Sequence, residues 1–167
     1  MTRKPRLKTG LYWHVVNRGG GRRDIFRTDT DRRLILSIIA RGVGKFDVEV
    51  LAYCLMSNHY HLVLKCTAEE LQRFMHYVGF VYTQQYNRAH GTDGPLFRGR
   101  CSPTRIDSAT HLYRAVVYTH ENPLEPYPHV HPRDYKWSSC GAHHGDRDAP
   151  AWLTLPSTPA TSPALMR

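Results

Sequence analysis

The chain lacks any C-x-x-C pair, and its four cysteines, Cys54, Cys66, Cys101 and Cys140, match the spacing of no zinc module. They are expected to pack as small apolar residues in a reduced cytoplasm. No run approaches the roughly 18 apolar residues of a membrane span. The basic stretch at residues 1–10 has no apolar segment behind it, so no secretory signal is expected. No internal repeat is present. Acid is scarce as well: 14 Asp and Glu face 23 Lys and Arg in 167 residues, a formal net charge of +9. A chain with that surplus seeks a polyanion, either nucleic acid or a membrane surface.

Hydrophobic residues make up 41% and aromatics 11%, which excludes a disordered basic tail and suits one folded domain. The surplus charge is concentrated. Residues 1–33 carry +7, residues 34–87 carry zero, residues 88–105 carry +3 and residues 106–167 carry −1. If the fold joins the two positive segments, they form a basic track able to neutralise several phosphates. The bland alternative is a solvated surface.

The patterning predicts strands over residues 10–17, 47–55, 59–65 and 96–105, the last at a sheet edge because Pro103 cannot donate to a ladder. Helices are predicted from residue 28 to 44, 67 to 89 and 107 to 121. Thr28 or Asp29 caps the first, and Leu34, Ile35, Ile38 and Ile39 form its apolar stripe. Thr67 and Glu70 form a capping box on the second, whose stripe is Leu71, Phe74, Met75, Val78, Tyr82 and Tyr86. Leu112 and Val116 hold the third helix to the sheet, and Asn122-Pro123 stops it. The order β-α-β-β-α-β-α gives an α/β (α+β) fold, a ferredoxin-like split βαβ with a mainly antiparallel sheet. One domain is expected over residues 1–144, with a Pro/Ala-rich, loose tail over residues 145–167.

Two features carry chemistry. In Asn58-His59-Tyr60-His61-Leu62, strand alternation puts His59 and His61 on one face, roughly 7 Å apart at the backbone. Two imidazoles so placed suit a divalent metal, or are merely surface histidines among eleven. On the last helix, Tyr118 and Asn122 are four apart and share a face. A phenol can act as a covalent nucleophile and an amide oxygen suits a hard cation; the plain alternative is an interfacial tyrosine beside a capping Asn. Tyr113 is the rival nucleophile, about 140° around the helix from Tyr118. Around these lie a glycine loop, Asn17–Arg23, and further arginines.

The run Leu55-Met56-Ser57-Asn58-His59-Tyr60-His61-Leu62 resembles the LMPNHxH segment of the HUH single-strand transposases, with Ser57 in place of the usual Pro. The likeness is greatest to the REP-associated tyrosine transposases. It extends to His14-Val15-Val16-Asn17-Arg18-Gly19, to Leu96-Phe97-Arg98-Gly99-Arg100, to Tyr118 through Pro123, and to Asp134-Tyr135-Lys136-Trp137-Ser138-Ser139. The resemblance implies metal-dependent cleavage and rejoining of hairpin-bearing single-stranded DNA through a 5′-phosphotyrosine. It implies Tyr118 as nucleophile and His59, His61 and Asn122 as ligands of Mg²⁺ or Mn²⁺. Arg18, Arg22, Arg23, Arg98 and Arg100 would contact DNA. A monomer or homodimer, cytoplasmic and nucleoid-associated, is the corresponding expectation. Two other classes remain open on sequence: a non-catalytic single-strand-binding module of the same fold, and a hydrolase using the two histidines with water.

Overall fold

Four strands, β1 (Leu11–Arg18), β2 (Glu49–Leu55), β3 (His59–Cys66) and β4 (Ser102–Ile106), pair antiparallel in the order β2-β3-β1-β4. Between them run α1 (Asp29–Lys45) and α2 (Ala68–His90); α3 (Ala109–Glu121) and a single turn, α4 (Cys140–His143), follow. The first six elements make the expected split βαβ. The computed structural model describes residues 11–155. The basic residues 1–10 and the end of the expected tail, residues 156–167, lie outside the described residues.

Alternation along the central strands divides the sheet into two faces. Val15, Tyr60, Leu62 and Leu64 point to one side and are fully buried against Ile35, Ile38 and Ile39 of α1 and Phe74, Val78 and Tyr82 of α2. Each such side chain contributes about 1.5–3 kcal/mol by leaving water. All six residues of the predicted α2 stripe are buried. The two helices approach closely at Gly42, where an added Cβ would lie 2.7 Å from the Phe74 ring.

The caps follow local chemistry. The Thr28 hydroxyl accepts from the Asp31 amide, and the Asp31 carboxylate accepts from the Thr28 amide, a complete capping box. The other Asp31 oxygen lies 2.8 Å from His90 Nε2, joining the start of α1 to the end of α2. The box expected on α2 is only half formed. Thr67 accepts from the Glu70 amide, but the Glu70 carboxylate turns to the Asp47 amide and to Arg73.

The fourth strand is shorter than expected. Leu96 is drawn into the core, Phe97 makes a single bridge to Gly19, and the chain bends over residues 98–100 before re-entering the sheet at Ser102. Pro103 does sit on an edge strand, opposite Val15.

The second face is covered by α3, whose Ala115 and Val116 meet Ala52, Val63 and Ile106. Ser108 caps this helix through the His111 amide. Asn122-Pro123 does not stop it outright, because the chain continues into a short 3-10 turn.

The outer edge of β2 is also covered. Leu55 donates to the Trp137 carbonyl, and the Ser139 hydroxyl accepts from the Tyr53 amide. Residues from 145 to 155, expected to be loose, instead dock there in part. Leu153 is buried and bridges to Val50, and Trp152 packs on Tyr53. Covering this edge shields backbone groups that would otherwise pair with another chain.

Candidate active site

His59 and His61 lie on the face of β3 opposite Leu62, as alternation requires, and α3 brings its C-terminal end over them. The Tyr118 ring meets His61 edge-on at 5.6 Å between centroids. His59 Nε2 lies 3.1 Å from Asn122 Oδ1. Tyr118, Asn122, His59 and His61 therefore converge within one chain. Tyr118 remains 57% exposed.

The hydrogen bonds around His59 constrain its proton. Asn58 Nδ2 donates to the Arg22 carbonyl, so Asn58 Oδ1 faces His59 Nδ1, 2.7 Å away. His59 then donates from Nδ1, and its Nε2 lone pair points at the Asn122 amide oxygen in the orientation adopted here. Two acceptors face one another at 3.1 Å. Neutral imidazole and amide leave that contact unsatisfied, whereas a cation drawn to both lone pairs resolves it.

Burial keeps these rings neutral. It pushes His61 down to about 3, with the fields of His14, His59 and Arg18 acting in the same sense. Burial also lowers His59, opposed by the Asn122 amide oxygen beside Nε2, which favours a protonated ring. The donor set (two neutral imidazoles and an amide oxygen) suits a divalent cation with oxygen ligands completing its shell. No group of three His, Cys, Asp or Glu positioned for a metal exists among the described residues, and the Asn122 amide oxygen is the further protein donor beside the two rings.

The glycine loop is shaped by backbone contacts. An added Cβ on Gly19 would fall 2.2 Å from the Arg23 carbonyl oxygen, and Gly21 has φ +59°. Arg22 shares that left-handed conformation at φ +59°, unusual for a residue with a side chain, and its carbonyl is held by Asn58. Gly19 donates to the Asn58 carbonyl, Gly20 to that of Leu96, and Arg98 to that of Arg18. The two positive segments of the sequence are thereby stitched together. Arg18 stands opposite His59 in the β1–β3 register and is exposed, as is Arg98. Arg22, Arg23 and Arg100 are exposed as well, although Arg23 Nε is engaged with the Gly20 carbonyl at 3.0 Å.

Two contributors were not singled out by spacing. The ring of His14 of β1 lies edge to edge with that of His61, centroids 5.2 Å apart, with its Nε2 3.0 Å from His61 Nδ1. It became visible only through the strand register, which sets it diagonally across from His61. His120, two residues after Tyr118, is fully buried and lies 2.8 Å from the Ser139 hydroxyl. It anchors α3 to the covered edge of β2 and faces away from the nucleophile.

The ferredoxin-like domain thus brings a paired-histidine strand and a tyrosine–asparagine helix end to one face of its sheet. The model for the family described as "Transposase IS200 like" matches residues 7–95, more than half the chain, and the protein belongs to that family of DNA transposases. Among solved structures, the chain resembles a REP-associated tyrosine transposase determined bound to a REP hairpin, at 15% identity and TM-score 0.63. That match covers 95% of this chain and 93% of that one. A candidate transposase from Deinococcus radiodurans matches at 16% identity and TM-score 0.51, over 73% of this chain and 96% of that one. Both likenesses concern the fold. No curated protein matches the sequence. No helix among the described residues is long and apolar enough to cross a membrane.

Proposed function

We propose that this transposase cleaves and rejoins single-stranded, hairpin-bearing DNA through a covalent tyrosine intermediate. The observation that carries the reading is the meeting of His59 Nε2 and Asn122 Oδ1, 3.1 Å apart, beside the exposed Tyr118. Mg²⁺ or Mn²⁺ held by His59, His61 and Asn122 would orient the scissile phosphate and stabilise its growing charge.

Tyr118 Oη attacks phosphorus, giving up its proton to the solvent around the half-exposed ring. The P–O3′ bond breaks, and the 3′ oxygen takes a proton and leaves as a free hydroxyl. The 5′ phosphate stays on the tyrosine. Attack by a 3′-hydroxyl reverses the step, restores the phenol and needs no nucleotide cofactor, since the enzyme has stored the bond. Arg18 and Arg98 lie where the backbone of the strand would enter, with Arg22, Arg23 and Arg100 extending the positive surface. The hairpin preference is taken from the relative solved with a REP hairpin.

The test is covalent. The full chain, incubated with hairpin-bearing single-stranded DNA and Mn²⁺, is expected to give a protein–DNA adduct that survives denaturation, and Tyr118→Phe to give none. Nicking that persists in Tyr118→Phe would assign the reaction to water. Tight binding without adduct on any such DNA would assign the chain to the binding-module class.

A further inference from the structure

We infer that His14 is a positioning residue for His61, accepting the Nδ1 proton and so leaving the Nε2 lone pair of His61 for the cation. The inference rests on the metal reading above for its purpose, but not for its geometry. The two nitrogens lie 3.0 Å apart, and the ring planes are within 16° of parallel with centroids 5.2 Å apart, so the rings meet edge to edge and one proton lies between them. If His14 donates, His61 must carry its own proton on Nε2 and cannot bind a cation there. If His61 donates from Nδ1, its Nε2 is free. His59 follows the same rule, with Asn58 Oδ1 as acceptor for its Nδ1 proton. The two histidines then present the same nitrogen, each fixed by a neighbour outside the cation's reach. Metal-binding histidines generally have their other nitrogen held in this way.

His14 makes a second contact. Its ring also meets Tyr118 edge-on at 5.8 Å, so one side chain touches both the proposed ligand and the proposed nucleophile. Its place is set by β1. Val63 stands opposite it across the ladder and His61 lies on the diagonal, within reach of an aromatic ring.

Two variants separate the acceptor from the ring. His14→Phe keeps an aromatic ring and removes the acceptor; His14→Gln keeps an acceptor oxygen and removes the ring. With full-length protein and no DNA, Mn²⁺ affinity read by electron paramagnetic resonance is expected to fall 10–100-fold in His14→Phe, the range for such supporting residues. It should fall less than about threefold in His14→Gln. Ring nitrogen NMR of the metal-free wild type should show His61 protonated on Nδ1, and His14→Phe should shift it toward Nε2.

Wild-type protein with His61 protonated on Nε2 would overturn the inference, as would His14→Phe that folds and binds Mn²⁺ like wild type. Should His14→Phe fail to fold, the wild-type NMR and His14→Gln still decide. If His59→Ala leaves Mn²⁺ binding unchanged, the metal reading fails, whereas the proton position on His61 is read without any metal.

Discussion

The two faces of the sheet are built from the same strands and behave differently. On one, Tyr60, Leu62 and Leu64 of β3 are sealed by α1 and α2, and their polar atoms are few and partnered. On the other, His59, His61 and Val63 alternate with them, and α3 covers the patch only in part. A face packed with hydrocarbon gains its stability from exclusion of water. A face with three imidazoles, an amide and a half-exposed phenol gives up some of that stability for chemistry. The strand needs no special geometry for this, because a period of two sends adjacent side chains into opposite environments.

The sharpest way to break that comparison is to alter one residue on each face. Tyr118→Phe should abolish the covalent adduct completely, while unfolding free energy changes by less than about 0.5 kcal/mol, as for an exposed site. Leu62→Ala should do the reverse. It should cost about 2–5 kcal/mol in a urea titration while the folded fraction still forms adduct. A Tyr118→Phe protein that melts early, or a folded Leu62→Ala protein without adduct, would mean that the faces are not separable.

Acid should expose the same division. Burial lowers the folded-state pKa of His61 and, with the fields of His143 and His144, that of His120. The folded protein thus refuses protons that the unfolded chain accepts below about pH 6.5. Stability should be level above that pH and fall below it by about 1.4 kcal/mol per pH unit for each such histidine. For His61 the fall should continue until pH nears about 3. Urea midpoints at pH 7.5 and pH 5.5 measure this, and equal midpoints would mean that these rings are already protonated in the fold.

The helical stripe of α2 and the alternation of β3 were legible because periodicity alone determines which face is buried. Thr67 was legible as a cap, and Thr28 as one of two candidates, for an equally local reason. What the sequence hid depends on partners that arrive from elsewhere in the chain. Glu70 looked committed to Thr67 until the Asp47 amide and Arg73 competed for it. His14 gained a role only when β1 paired with β3 in one register. Leu153 sat in a Pro-rich stretch, yet an open β2 edge gave it a place to bury. For the site, the neighbours Asn58 and His59 and the four-residue spacing from Tyr118 to Asn122 were readable. The convergence of the two elements was implied only by the family resemblance and not by spacing, since it needed the helix end to land on the histidine face.

The smallest effect concerns charge. Arg98, tied through its backbone to Arg18 beside His59, lies at the site, whereas Arg41 is exposed on α1, on the far side of the sheet. Both carry the same charge, so bulk attraction treats them alike, and only local phosphate contact distinguishes them. Arg98→Ala should therefore weaken single-stranded DNA binding and reduce the magnitude of the slope of log K against log salt by about 0.7, the value of one released counterion. Arg41→Ala should leave the slope unchanged. Fluorescence anisotropy across a salt series, with the Tyr118→Phe background preventing cleavage, measures both. Equal slopes for the two variants would spread the DNA over the whole basic surface and detach the arginines from the histidine face.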